Sequence, residues 1–181
     1  MNVSLQQRVT NILTSPNTEW PVIAAESETV GDLYTKYVVI LAAIPPLALA
    51  LRGGIRLAVL QYLIGLLSVF ICAWVIAWLG PRFSSSGDTV AALKMVAYAN
   101  TPAWVAGIFN LIPWVGWLLV FVLSLYGVYL YYIGLGPVMK TPSGQTIPFM
   151  VVSAILLIVV TMVLGILLSP LIIGGAILSS L

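Results

Sequence analysis

The residues that could do chemistry are few. The chain has 181 residues with no His, one Cys, seven Lys or Arg and five Asp or Glu. Without imidazole there is neither the usual near-neutral base nor a His ligand for a metal, so no metal site and no cofactor are expected. Cys72 sits in an apolar run beside Trp74. Apolar surroundings disfavour the thiolate, so an unreactive packed side chain is expected there. No acid falls inside an apolar run, and Asp88 stands at a helix start. An aspartyl intramembrane protease needs two buried Asp, and proton-coupled transporters normally place Asp, Glu or His within the bilayer. A serine paired with Lys94 is the one nucleophile arrangement left, and Lys94 reads better as a membrane-surface anchor. No catalytic residues are expected, and the protein is read as no enzyme.

Most of what stays polar at membrane depth gathers between Ala97 and Pro142. Tyr98, Asn100 and Thr101 lie one turn before Pro102. Tyr126 and Tyr129 lie one turn apart further on. An Asn in hydrocarbon must find a partner. These five residues are the candidate polar pocket or lipid and partner contact. Ala99, Ala103 and Gly107 recur every four residues, a small-residue stripe that lets another helix approach closely. The stripe suits packing within the chain or against a second copy in an oligomer.

The elements that must position these residues follow from composition. The chain is 61% hydrophobic and 7% charged, against about 25% charged in soluble domains. This is an all-α polytopic membrane protein. A net charge of +2 is too sparse for a nucleic-acid surface. Five spans are predicted, at about 33–51, 57–79, 89–110, 115–136 and 149–168, the last with a bent C-terminal extension. Pro45 and Pro46 kink the first span, Pro102 the third, and Pro113 with Gly116 forms the hairpin between the third and fourth. Ser86 or Asp88 can cap the third helix. From Phe149 to Leu181 there is no charge. As helix this would be about 50 Å, too long for one crossing of a ~30 Å core, so a bend at Ser169-Pro170 and a terminal half-helix are expected, with Gly174-Gly175 leaving a re-entrant or flexible end as the alternative.

Residues 1–32 form the N-terminal segment. They lack the apolar run of a cleavable signal, so they are expected to stay on the mature chain. Leu5, Val9, Ile12 and Leu13 share one helical face and Trp20 follows. An amphipathic helix lying in the membrane interface is expected, with a helix packed on the bundle as the alternative. Glu19, Glu26, Glu28 and Asp32 form an acidic patch, read as a solvated face. Five spans put Arg8, Lys36, Arg82, Lys94 and Lys140 on one side against Arg52 and Arg56 on the other. The excess places the N-terminus in the cytoplasm and the C-terminus on the far side.

Several stretches carry a family resemblance. They are Tyr98-Ala99-Asn100-Thr101-Pro102, Ile112-Pro113-Trp114-Val115-Gly116, the run from Tyr126 to Leu135, and Met139-Lys140-Thr141-Pro142. With Ile12-Leu13-Thr14-Ser15-Pro16, Glu19-Trp20 and Ile23, they resemble the Yip (Ypt/Rab-interacting protein) family, in its short bacterial form. The resemblance implies five membrane helices and an N-terminus in the cytoplasm, hence the bacterial inner membrane. It implies no catalytic residues. The 32 residues before the first predicted span are shorter than the long cytoplasmic region of eukaryotic relatives, so binding of a Rab-type GTPase is not expected. The expected function is therefore non-enzymatic: binding protein partners or lipids and organising the membrane, with lipids, a second copy or another membrane protein as partners. The alternative is a small lipid or solute translocator.

Overall fold

The computed structural model describes residues 3–52, 54–112 and 114–179, and among them all regular structure is helical. Helix α1 (Leu5–Thr14) is capped by the Ser4 hydroxyl, which accepts from the Gln7 amide at 3.2 Å. Pro16 ends α1 and opens a second helix, α2 (Pro16–Ala25), which the sequence reading does not anticipate. A proline suits both roles, because its missing N–H is not needed in a first turn.

Helix α3 (Val30–Leu51) starts at a Thr29/Asp32 capping box and contains a π-helical turn, Tyr34–Val38. The prolines do not kink a continuous rod. The helix breaks at Ala42-Ala43, and Pro45 and Pro46 occupy the first turn of the segment Ile44–Leu51. The Tyr62 hydroxyl donates to the Val39 carbonyl at 2.7 Å, supplying a partner just before the break.

Helix α4 (Ile55–Leu79) ends in a 3-10 turn, Gly80–Phe83. Asp88 then caps α5 (Thr89–Ala99), accepting from the Ala91 amide at 2.9 Å. After Asn100 come α6 (Thr101–Ala106), with Pro102 in its first turn, and a 3-10 turn, Gly107–Leu111. Helix α7 (Gly116–Met139) runs through Pro137 and stops where Lys140 adopts a left-handed conformation (φ 56°). Helix α8 (Ser143–Ser179) completes the chain.

Four helical stretches are long and apolar enough to cross a membrane: Val30–Leu51, Ile55–Phe83, Gly116–Met139 and Ser143–Leu167. The predicted third span, 89–110, is instead three short pieces. Its first piece is the centre of the bundle, with every residue from Ala92 to Ala99 buried. Small side chains permit this. A Cβ at Gly127 on α7 would stand 2.6 Å from the Ala99 carbonyl oxygen, and a Cβ at Gly107 would run into the Pro45 ring. Ala99 and Gly107 therefore serve close approach within the chain, while Ala103 is half-buried.

In the hairpin after Gly107–Leu111, Trp114 takes φ 67° and a Cβ at Gly116 would collide with the Phe109 carbonyl. Pro113 lies outside the described residues. Helix α8 begins at Ser143, not 149, and its helical backbone continues past Pro170 to Ser179. In apolar surroundings continued helix satisfies more backbone groups than an uncapped end would.

The N-terminal segment takes the second of its two expected placements, packed on the bundle. Helices α1 and α2 form an antiparallel hairpin that packs along α7. The Tyr126 hydroxyl donates to the Leu13 carbonyl at 3.0 Å, near the hairpin tip. Trp20 packs on Gly134, eight residues on, or about 12 Å along α7. The Leu5, Val9, Ile12, Leu13 and Trp20 face is spent on the protein core, with Ile12 and Trp20 almost fully buried. Burying that apolar area against α5 and α7 outweighs leaving it in the interface.

Candidate functional site

Between this hairpin and α5 lies a buried ionic and aromatic cluster. Arg8 sits on the apolar face of α1 and is 6% exposed. Its guanidinium donates to Glu19 Oε1 and Glu26 Oε1, and the Asn11 amide donates to the other Glu19 oxygen at 3.0 Å. These bonds tie α1 to α2 in antiparallel register. The guanidinium also lies 6.0 Å from the Tyr98 ring centroid. Trp20 meets Tyr98 edge-on at 6.2 Å, and Tyr37 lies 4.4 Å from Tyr98. The Tyr37 and Thr101 hydroxyls share a hydrogen bond of 2.6 Å.

Lys94 completes the cluster from α5. Its ammonium donates to the Ile23 carbonyl at 2.7 Å and the Glu26 carbonyl at 2.6 Å. These are C-terminal carbonyls of α2, which a lysine satisfies well. Lys94 is thus a buried clamp on the hairpin, not a surface anchor. The acidic patch is likewise divided. Glu19 is buried and paired, whereas Asp32 pairs with Lys36 at 2.6 Å on the surface. Burial pushes the Glu28 carboxyl above the ordinary glutamate range, against the opposing pull of Lys94. The arrangement locks a helical hairpin into a bundle. Most of its strong donors and acceptors are committed to each other, while Trp20 Nε1, Glu26 Oε2 and Glu28 Oε2 are buried with no hydrogen-bond partner among the described residues.

The five predicted pocket residues do not meet. Tyr98 and Thr101 face the hairpin and α3. Asn100 faces the other way, into a cavity of about 300 Å³ lined also by Ser68, Cys72, Trp104, Tyr131 and Thr161, and its amide donates to Val96 O of its own helix at 2.8 Å. Tyr126 and Tyr129 stand at the hairpin tip with ring centroids 5.6 Å apart. At about 100° per residue, Tyr98 and Asn100 sit roughly 200° apart around the helix, so one pocket could not hold both. Residues missed by the sequence reading are Arg8, Glu19, Glu26, Lys94 and Tyr37. Spacing carried a signal for two of them. Arg8 is i+3 from Leu5 and i−4 from Ile12, and Glu19 is i−4 from Ile23, so each charge sits within an apolar stripe.

Long apolar helices around a buried helical core, with a helical hairpin clamped to them, define a polytopic all-α membrane protein. The Yip1 domain profile matches residues 10–165, hairpin tip included, and the chain belongs to that family. It is similar to the inner membrane protein YohC of Escherichia coli strain K12, with 27% identity over 162 residues covering 78% of this chain and 83% of the relative. The YohC of Escherichia coli O6:H1 matches to the same extent. No solved structure matches the chain.

Proposed function

We propose that this chain works without catalysis, as an inner-membrane protein that binds a membrane-embedded protein partner through the outer face of its N-terminal hairpin. The bilayer is crossed five times, with α5, α6 and the Gly107–Leu111 turn as the third crossing and the N-terminus in the cytoplasm. Support for the location comes from the name of the Escherichia coli relatives. Support for the orientation comes from the excess of basic residues at the hairpin end.

One observation carries the binding reading. The outer face of the hairpin exposes Gln6, Gln7, Thr10, Thr14, Asn17 and Thr18 beside the membrane-depth half of α7. The threonine hydroxyls turn back onto their own backbone, Thr10 to Gln6 O and Thr14 to Thr10 O. The carboxamides of Gln6, Gln7 and Asn17 are exposed, and lipid tails offer them nothing to bond. A partner helix with polar groups would satisfy them. The alternative, a small lipid or solute translocator, draws on the Asn100 cavity alone.

The test is cross-linking in native membranes with Cys72 replaced by alanine. Asn17→Cys treated with a bifunctional maleimide is expected to give one defined adduct, at twice the chain mass if the partner is a second copy. Ile158→Cys on the exposed face of α8 is expected to give none. Complete labelling of Asn17→Cys by a water-soluble maleimide, with no adduct, would contradict the reading.

A further inference from the structure

At the end of the bundle opposite the hairpin lies a cavity of about 520 Å³, lined by Pro45, Leu49, Arg52, Gln61, Asn110, Ile112, Trp114 and Trp117. Its apolar lining is Pro45, Leu49 and Ile112, with Pro45 and Leu49 below the more exposed Ile112. Its polar groups are Arg52, Gln61 and Asn110. Pro45 lies seven residues below Arg52, so the cavity is about 10 Å deep from rim to floor.

Three observations describe what it would hold. First, Arg52 carries five N–H donors, and one of them reaches the Asn110 carbonyl at 3.2 Å. That bond holds the guanidinium over the cavity without neutralising it. Second, Gln61 lies six residues into α4, about 9 Å along an apolar helix, and its side chain has no hydrogen-bond partner among the described residues. A carboxamide at that depth needs an occupant that accepts or donates hydrogen bonds. Third, no carboxylate lines the cavity. The acids of the chain are Glu19, Glu26, Glu28, Asp32 and Asp88, none of which contributes to the wall. The occupant is therefore anionic. Trp114 is 90% exposed and Trp117 66% exposed at the mouth, as indoles are at headgroup level.

The geometry points to a binding site for the phosphodiester headgroup of an anionic phospholipid. The phosphate sits on Arg52. The glycerol ester carbonyls accept from the Gln61 amide below it. The acyl chains leave over the exposed apolar surface of Leu118 and Phe121 on α7. This site is independent of the hairpin and of the partner proposed for it.

Native mass spectrometry of the detergent-purified full chain tests it, with phosphatidylglycerol and phosphatidylcholine of identical acyl chains as probes. Phosphatidylglycerol is expected to be retained about tenfold better, because the choline cation of phosphatidylcholine is repelled by Arg52 and offsets the attraction of its phosphate. Arg52→Gln should abolish the preference. Gln61→Leu, which keeps the charge, should lower retention of both lipids. Lys36→Gln, a surface change of equal charge at the other end, should leave the preference intact. Equal retention of the two lipids by the unmodified chain, or an unchanged preference in Arg52→Gln, would overturn the proposal. Millimolar inorganic phosphate should not displace the lipid. Displacement would identify a free phosphate site and overturn the lipid assignment.

Discussion

Replacing Arg8 with methionine is expected to cost about 3–5 kcal/mol of stability, the cost of stranding a buried charge without its partner. Arg8 and Glu19 are each 6% exposed, and among the described residues the guanidinium is the only cation bonded to Glu19. Glu26 retains more solvent, with its side chain 25% exposed, and contributes less. Methionine fills the space of the Arg8 stem, so lost packing is small and the electrostatic effect dominates. The same reasoning gives an internal check. Arg8→Met combined with Glu19→Gln and Glu26→Gln should recover most of the loss, since a buried ion pair replaced as a whole is often nearly neutral. Thermal unfolding of the purified protein in detergent reads both outcomes. A single Arg8→Met change within about 0.5 kcal/mol of the parent, the range of ordinary surface substitutions, would mean that Arg8 is solvated and the lock does not exist.

Gly134→Leu is expected to expel Trp20 and with it the hairpin. A Cβ at Gly134 would lie 2.7 Å from two atoms of the Trp20 indole and 3.0 Å from the Met95 sulfur. Trp20 is 1% exposed and flanked by Tyr98, so it has no free volume into which to move. Losing its burial is worth about 3–5 kcal/mol, and overpacking adds to this. The remaining helices keep their own contacts, so the effect should concentrate on α1 and α2. Limited proteolysis is expected to cleave the variant within residues 3–25 while the rest of the chain stays protected. Adding Trp20→Ala to Gly134→Leu should then cost far less than Trp20→Ala alone, because the two residues share one contact. Additive losses would show that Trp20 does not pack on Gly134.

The apolar spans were legible because 61% hydrophobic content leaves few other places for them. Their ends were not. Pro137 and Pro148 read as loop residues, yet helix runs through both, since a helix in apolar surroundings keeps its hydrogen bonds wherever it can. The central piece, Ala92 to Ala99, is less apolar than the outer helices, and only tertiary packing marks it as the core. The hairpin escaped notice for a different reason. Pro16 both ends one helix and starts the next, and only the spacing of Arg8 from Leu5 and Ile12 shows that this charge belongs to the apolar face. The cluster around Tyr98 depends on contacts across 71 positions, such as that between Lys94 and Ile23, which no local pattern encodes.

Depth measurement on the hairpin tests most directly whether it stands upright in the membrane. Thr14 at the tip and Gln6 near the start of α1 are both exposed, so each can carry a spin label without disturbing the core. Tyr126, which holds the tip, lies thirteen residues from the Met139 end of α7, about 20 Å. In the reconstituted protein, with oxygen and a water-soluble nickel chelate as relaxants, the Thr14 label is expected about 12 Å deeper than the Gln6 label, from eight residues of upright helix. Equal depths for the two labels, both at headgroup level, would describe a helix lying flat in the interface and would contradict the account.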